Sequence, residues 1–441
     1  MKGNESMENF KKDKPLLNIM NTDKRKFSKR IQLWKDDLNY LIEELETYKS
    51  TFHDVLIKTD TLSLFENKIK NVDLVKENIT FLDDKDIKIN IQKTLALPND
   101  GHSAGQFIYK SSFENPFVNE VIPLHFEYLD KEIWCVGSYL EKYADIVNSK
   151  LISINGNNII DIFEKFKNLT GYDNIYNAQS KFIKNISSYI MLEALDLINS
   201  NIKTINLGVK KISGSISEYR IEFIDKYKIL KNELDLIYVK ESTETPLYRQ
   251  YPQNSIIICE MPDINGIYIK VGSLILTDNE LNRFFISLKN RVEKVMPKKI
   301  IIDFRGNEGG TGSLNDEWLN FIIDYKNENN GLIILTDIHT FSLATKQVAW
   351  LKISTAATIL GEPSGGNFLG YSAPIFHTMK NTGFKFNLSS KNFKHLKDFD
   401  LDIITDCVGN HNVLVPDKEI YISVTDYILG KDPIVEYLSL N

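Results

Sequence analysis

Apolar residues recur along this chain with two distinct periods. Ile31, Trp34, Leu38, Leu41, Ile42 and Leu45 fall on one helical face, with Asp36, Asp37, Glu43 and Glu44 largely opposite, which predicts a packed amphipathic helix with a solvated acidic side. Ile133 to Val136 and Leu151 to Ile154 have strand length, Asn155-Gly156 is a turn pair, and Ile159, Ile162, Phe163 and Phe166 return to helical spacing. A helical pattern around residues 186–198 precedes an alternating segment, 217–224, with Tyr219, Ile221 and Phe223 on one face. Thr277-Asp-Asn-Glu280 is a capping box opening a helix that buries Leu281, Phe284, Phe285, Leu288 and Val292. Ile300 to Ile302 and Leu332 to Leu335 are short continuous apolar runs, as in strands buried on both faces.

The second half also carries candidate chemistry. The 300–302 run enters the glycine-rich turn Asp303-Phe-Arg-Gly-Asn-Glu-Gly-Gly310, whose glycines allow backbone conformations that present successive NH groups to an anion or a developing oxyanion. The 332–335 run delivers Thr340-Phe-Ser342 to the start of a helix extending through Trp350 and Leu351. There the positive backbone potential favours negative charge on Ser342. Taken alone, each piece also reads as a tight connection or an ordinary serine. Their order and spacing favour an oxyanion loop followed by a nucleophile.

From about Asn254 to its end the chain resembles the carboxyl-terminal processing (tail-specific) serine peptidases, the group that includes the tricorn core protease. Asp303 to Gly310 matches the family's Asp-Leu-Arg-Gly-Asn-Gly-Gly-Gly except at Phe304 and Glu308. Thr340-Phe341-Ser342 matches its Thr-x-Ser, and Gly361-Glu-Pro-Ser-Gly-Gly366 its Gly-Glu-x-Thr/Ser-x-Gly. Pro416-Asp417 and Gly430-Lys-Asp-Pro433 occupy the places of its C-terminal motifs. Upstream, Asp100-Gly-His-Ser103 fits the ending of the family's N-terminal helical region.

The resemblance implies an α/β fold: a crotonase/ClpP-like protease core over residues 246–441, an N-terminal helical region over 1–115, and a reduced PDZ-like α+β subdomain within 116–245. For the PDZ-like part, a small subdomain that binds nothing is the alternative. It implies Ser342 as nucleophile, His102 as general base, as in tricorn-like members, and the backbone NH groups of Leu343 and of Gly309 or Gly310 as oxyanion donors. Where bacterial members place a dyad lysine, this chain has Asn367, which cannot take a proton from serine. Lys346, four residues after Ser342 and on the same helical face, and His339, three residues before it, are further base candidates. The glutamate that tricorn-like members carry just before the terminal Pro-Asp is missing from its place ahead of Pro416-Asp417, so Asp402, Asp406 or His411 is the candidate substitute for an orienting acid, with ordinary loop roles as the alternative.

Composition narrows the rest. A formal charge of -6 disfavours nucleic acid as a partner, because phosphate binding needs a basic surface. Cys135, Cys259 and Cys407 are too scattered for a disulfide framework, and the seven histidines lack metal-ligand spacing, so neither cofactor nor metal is expected. Residues 1–30 have no apolar core of a leader and no stretch is long enough to span a bilayer, which predicts a cytoplasmic protein, or an exported one if a leader has been trimmed. The expected partner is a peptide or unfolded protein substrate. The expected function is a serine endopeptidase; a peptide-binding pseudoprotease and an acyl-transfer or esterase activity on the same oxyanion site are the alternatives.

Overall fold

The computed structural model describes residues 23–105, 120–199, 201–237, 245–250, 256–313, 316–329, 331–393 and 413–440. From Ile256 onward the chain is built on a six-stranded sheet in the order Ile256–Met261, Gly266–Val271, Lys299–Asp303, Gly331–Thr336, Thr358–Gly361, Lys418–Glu419. Only the first pair is antiparallel. Parallel neighbours need crossovers, here the helices Asp278–Val295, Glu317–Asn329 and Leu343–Thr355. The first opens on the expected capping box at Thr277 and Glu280 and buries Phe284, Leu288 and Val292. Alternate strand residues supply two cores: Ile267, Ile269, Ile300, Ile302 and Ile334 pack into one, and Tyr268, Ile301, Leu335 and Leu360 into the other with Ile434 and Leu438. Burial on both faces explains why these strands read as unbroken apolar runs.

At the carboxyl end of this sheet, Arg305 closes a buried ion network. Its guanidinium donates to Asp303 at 2.6 Å and to Asp432 at 2.8 Å, and Tyr268 donates to Asp303 at 2.6 Å. Two of the sequence motifs therefore meet as one structural tie, which fixes the glycine loop against the last helix.

A second, antiparallel sheet runs Leu124–Leu129, Glu132–Ser138, Ser149–Ile154, Thr204–Lys211, Ile216–Glu222. Asn155 and Gly156 make the expected turn with φ of 47° and 76°, and the Ile159–Phe166 helix follows. The helix expected around 186–198 is only Tyr189–Ala194, and the longer Ile175–Asn185 helix precedes it. That longer helix buries the polar Asn177 and Ser180 beside Ala178, Phe182 and Ile183.

The N-terminal helices Asp23–Thr51, His53–Lys58, Leu62–Glu77 and Asp84–Leu95 share a core with Tyr371, Met379, Phe384, Phe386 and Leu388 of the Gly370–Thr378 and Lys385–Phe393 hairpin. Asp37 corrects the solvated acidic face. It is buried, accepts from the backbone NH groups of Asn381 at 3.1 Å and Thr382 at 2.7 Å, and so pins the hairpin turn to the first helix. Asp36 and Glu43 are exposed, as expected. No helix among the described residues is long and apolar enough to cross a membrane.

Candidate active site

The strand Gly331–Thr336 ends in a turn that leads to Ser342, the residue preceding the Leu343–Thr355 helix. Ser342 has φ 55° and ψ -126°, a left-handed conformation rare for a non-glycine residue. Its hydroxyl does not cap the helix it precedes. Instead Ser342 Oγ lies 2.8 Å from Nε2 of His102. The glycine loop comes very close to this serine: a Cβ on Gly309, whose φ is 94°, would lie 2.8 Å from Ser342 Cβ and 2.9 Å from the Leu343 nitrogen. On the other side, a Cβ on Gly366 would lie 2.3 Å from Thr345 Oγ1. Side chains at either position would push the serine turn away.

His102 is delivered by a loop knotted around Asp100. One Asp100 oxygen accepts from the backbone NH groups of His102 at 2.9 Å and Ser103 at 3.1 Å, and from the Ser389 hydroxyl at 2.8 Å. The other accepts from Tyr48 at 3.0 Å. The short Ala104–Gly105 strand then joins the Lys385–Phe393 strand, and the Asn387 side-chain amide donates to the His102 carbonyl. Finally the imidazole stacks on Phe341, with 4.6 Å between ring centroids. Residues from both ends of the chain therefore fix the histidine.

Burial pushes the His102 imidazole down to about 3, and the positive charges of Lys346 and Lys181 add to the effect. It is neutral at pH 7, as a general base must be. Its Nδ1 is buried and has no hydrogen-bond partner among the described residues. Asp402, Asp406 and His411 lie outside the described residues, as does Cys407.

The remaining candidates sit as follows. Lys346 is buried and donates to the Ser372 hydroxyl at 2.9 Å, and burial lowers it to about 8, so at neutral pH it is largely protonated. His339 turns away, its Nδ1 2.7 Å from the Ser180 hydroxyl. Gly309 is corrected as an oxyanion donor: its NH donates to Asn307 Oδ1 at 2.8 Å. The loop bends back on itself there, so the asparagine caps that NH. The NH groups of Gly310 and Leu343 make no hydrogen bond among the described residues.

Asn367 is a clamp. Its NH donates to Asp173 Oδ2 and its amide to the Asp173 carbonyl, both at 3.0 Å, while its Oδ1 accepts from Asn174 at 3.0 Å. The other Asp173 oxygen accepts from the Gly101 NH at 2.7 Å, so one carboxylate ties the histidine loop to the turn behind the serine. Lys181 donates to the Gly101 carbonyl at 2.6 Å and completes the support. These residues escaped sequence reasoning, although Asp173-Asn174 ahead of an amphipathic run is a helix N-cap signal. Asn367→Lys is expected to break the clamp, lowering stability by about 2 kcal/mol and any hydrolytic activity with it. Chemical denaturation and cleavage assays check this; a gain of activity would contradict it.

No protein-family model matches the sequence, and neither does any curated protein. Solved structures do. Mature CPAF complexed with lactacystin is 10% identical, with a TM-score of 0.57 over 93% of this chain and 98% of that one. A structure of mature CPAF alone gives 10% identity and 0.55 over 92% and 96%. The photosystem II D1 C-terminal processing protease lies further off, 11% identical with a TM-score of 0.34 over 80% and 86%. The chain therefore has the fold of CPAF across nearly its whole length.

Proposed function

We propose that this protein is a serine endopeptidase that hydrolyses peptide bonds in extended or unfolded polypeptides through an acyl-enzyme. The observation that carries the reading is the 2.8 Å contact between Ser342 Oγ and His102 Nε2, made by residues that the sequence separates widely. The CPAF fold and the motifs around Ser342 support it. On the same reading the six-stranded unit is a crotonase/ClpP-like core and the antiparallel sheet a reduced PDZ-like subdomain.

His102 Nε2 takes the serine proton as Oγ attacks the scissile carbonyl, forming a tetrahedral adduct. The NH groups of Gly310 and Leu343 stabilise the oxyanion, aided by the N-terminal field of the Leu343–Thr355 helix. The imidazolium returns the proton to the leaving amine, and water deacylates the serine by the same route. For Nε2 to accept, Nδ1 must carry the ring proton, and among the described residues it has no partner. A histidine without an orienting acid on Nδ1 is a poorer base, which favours the second reading, a peptide-binding pseudoprotease.

Cleavage of an unstructured peptide library by the intact chain, read by mass spectrometry beside Ser342→Ala, separates the two. Cuts by the wild type alone establish the peptidase; matching blanks with retained peptide binding establish the pseudoprotease.

The acidic limb of kcat/KM is expected well below pH 6.5, because His102 stays neutral until the medium is far more acidic. Lys346→Met removes a like charge and shifts that limb upward, with a mild effect on the rate at pH 7.5. A wild-type limb near 6.5, unmoved in the variant, would contradict the assignment of His102.

A further inference from the structure

The carboxyl ends of the parallel strands hold a second concavity, which neither Ser342 nor His102 lines. It has a volume of about 400 Å³ and is bounded by Lys270, Arg305, Thr336 and Glu362 of the sheet, with apolar wall from Leu129, Ile338, Ile420 and Ile434. Crevices at the carboxyl ends of open sheets are the usual ligand positions, and this volume suits a small organic molecule.

Its polar groups are not all satisfied. Tyr248 and Arg249 line the cleft, and both the Tyr248 hydroxyl and Arg249 Nε are buried without a hydrogen-bond partner among the described residues. Arg249 is held in place by donating to the Tyr427 carbonyl at 2.8 Å and by lying 3.9 Å from the Tyr427 ring centroid. A guanidinium N–H is always a donor, and leaving one unpaired in a buried place is costly.

Of the three cations that line it, Arg305 is already tied to Asp303 and Asp432, which leaves Lys270 and Arg249; among the acids Glu127 is paired with His125 at 2.9 Å and Asp337 accepts the Gly306 NH at 2.9 Å. Burial, with the nearby Asp337, pushes the Glu362 carboxyl up to about 8, which removes a further negative charge at neutral pH.

We propose that this cleft binds a small carboxylate with an apolar body, its oxygens accepting from the Tyr248 hydroxyl and Arg249 Nε and its body lying against Ile338 and Ile420. The site is separate from the Ser342–His102 pair and does not depend on that pair being catalytic.

Calorimetry on the full chain tests it with isovalerate and, as the uncharged isostere, isovaleramide. Isovalerate is expected to bind at least about tenfold more tightly than the amide, and Tyr248→Phe and Arg249→Gln are each expected to weaken it by about tenfold. Tyr248→Phe removes a hydroxyl that bonds to nothing among the described residues, so it keeps the fold, and a thermal melt verifies this. Ser342→Ala is expected to bind isovalerate unchanged. Displacement of isovalerate by a short peptide ending in leucine assigns a chain terminus as a source of the carboxylate, and no displacement assigns a free acid; both outcomes support the site. Equal binding of acid and amide, no binding of either, or loss of isovalerate binding in Ser342→Ala would overturn it.

Discussion

Ser342→Ala and His102→Gln are each expected to lower peptide cleavage by roughly 10⁴-fold, since residues that act as a unit in acyl transfer fail together when either is removed. The folded state should barely register the serine change. The Ser342 hydroxyl makes its hydrogen bond to His102 and does not cap its helix, so its loss leaves the backbone bonds of the turn intact. Glutamine at 102 keeps most of the buried volume beside Phe341 and leaves the Asp100 knot untouched, because residue 102 joins that knot through its backbone NH. A double variant should therefore be no slower than either single one. Full activity in His102→Gln would move the base elsewhere, with Lys346 the nearest candidate.

Arg305→Met is expected to cost about 3–5 kcal/mol, the largest stability loss of any single change considered for this protein. The substitution leaves Asp303 and Asp432 as neighbouring buried carboxylates without their cation, and both are less than a tenth exposed. Burial alone would raise the Asp303 carboxyl, but the charges of Arg305 and Lys270 hold it down at about 2. A depressed folded value means that Asp303 contributes stability above the ordinary carboxylate range and loses it as pH falls toward 2. Urea titrations of wild type and variant between pH 7 and pH 3 check both points. The wild type should lose part of its margin over that interval, and the variant should lose less.

The legible parts of this molecule are those whose role is local. A capping box, an Asn-Gly turn and apolar runs destined for burial on both faces each write their conformation into adjacent residues, and they appear where the sequence places them. The serine turn belongs to this class too. What the sequence conceals are contacts between distant segments. Asp37 reads as one more acid on a solvated helix face because the hairpin turn it binds lies more than three hundred residues away. Asn367 reads as a lost lysine, whereas its backbone NH and its side-chain amide make three hydrogen bonds with Asp173 and Asn174. The Ile175–Asn185 helix is short, and the part it plays, burying Asn177 and Ser180 and sending Lys181 to the histidine loop, depends on segments far away in the chain.

The most direct test of the central claim is labelling of the intact chain with a fluorophosphonate, whose phosphorus is attacked by an activated serine oxygen with loss of fluoride, followed by peptide mapping. The account predicts one adduct, on Ser342, that disappears in His102→Gln. An unlabelled Ser342 under conditions where the protein is folded, or a label that survives the loss of His102, would contradict it.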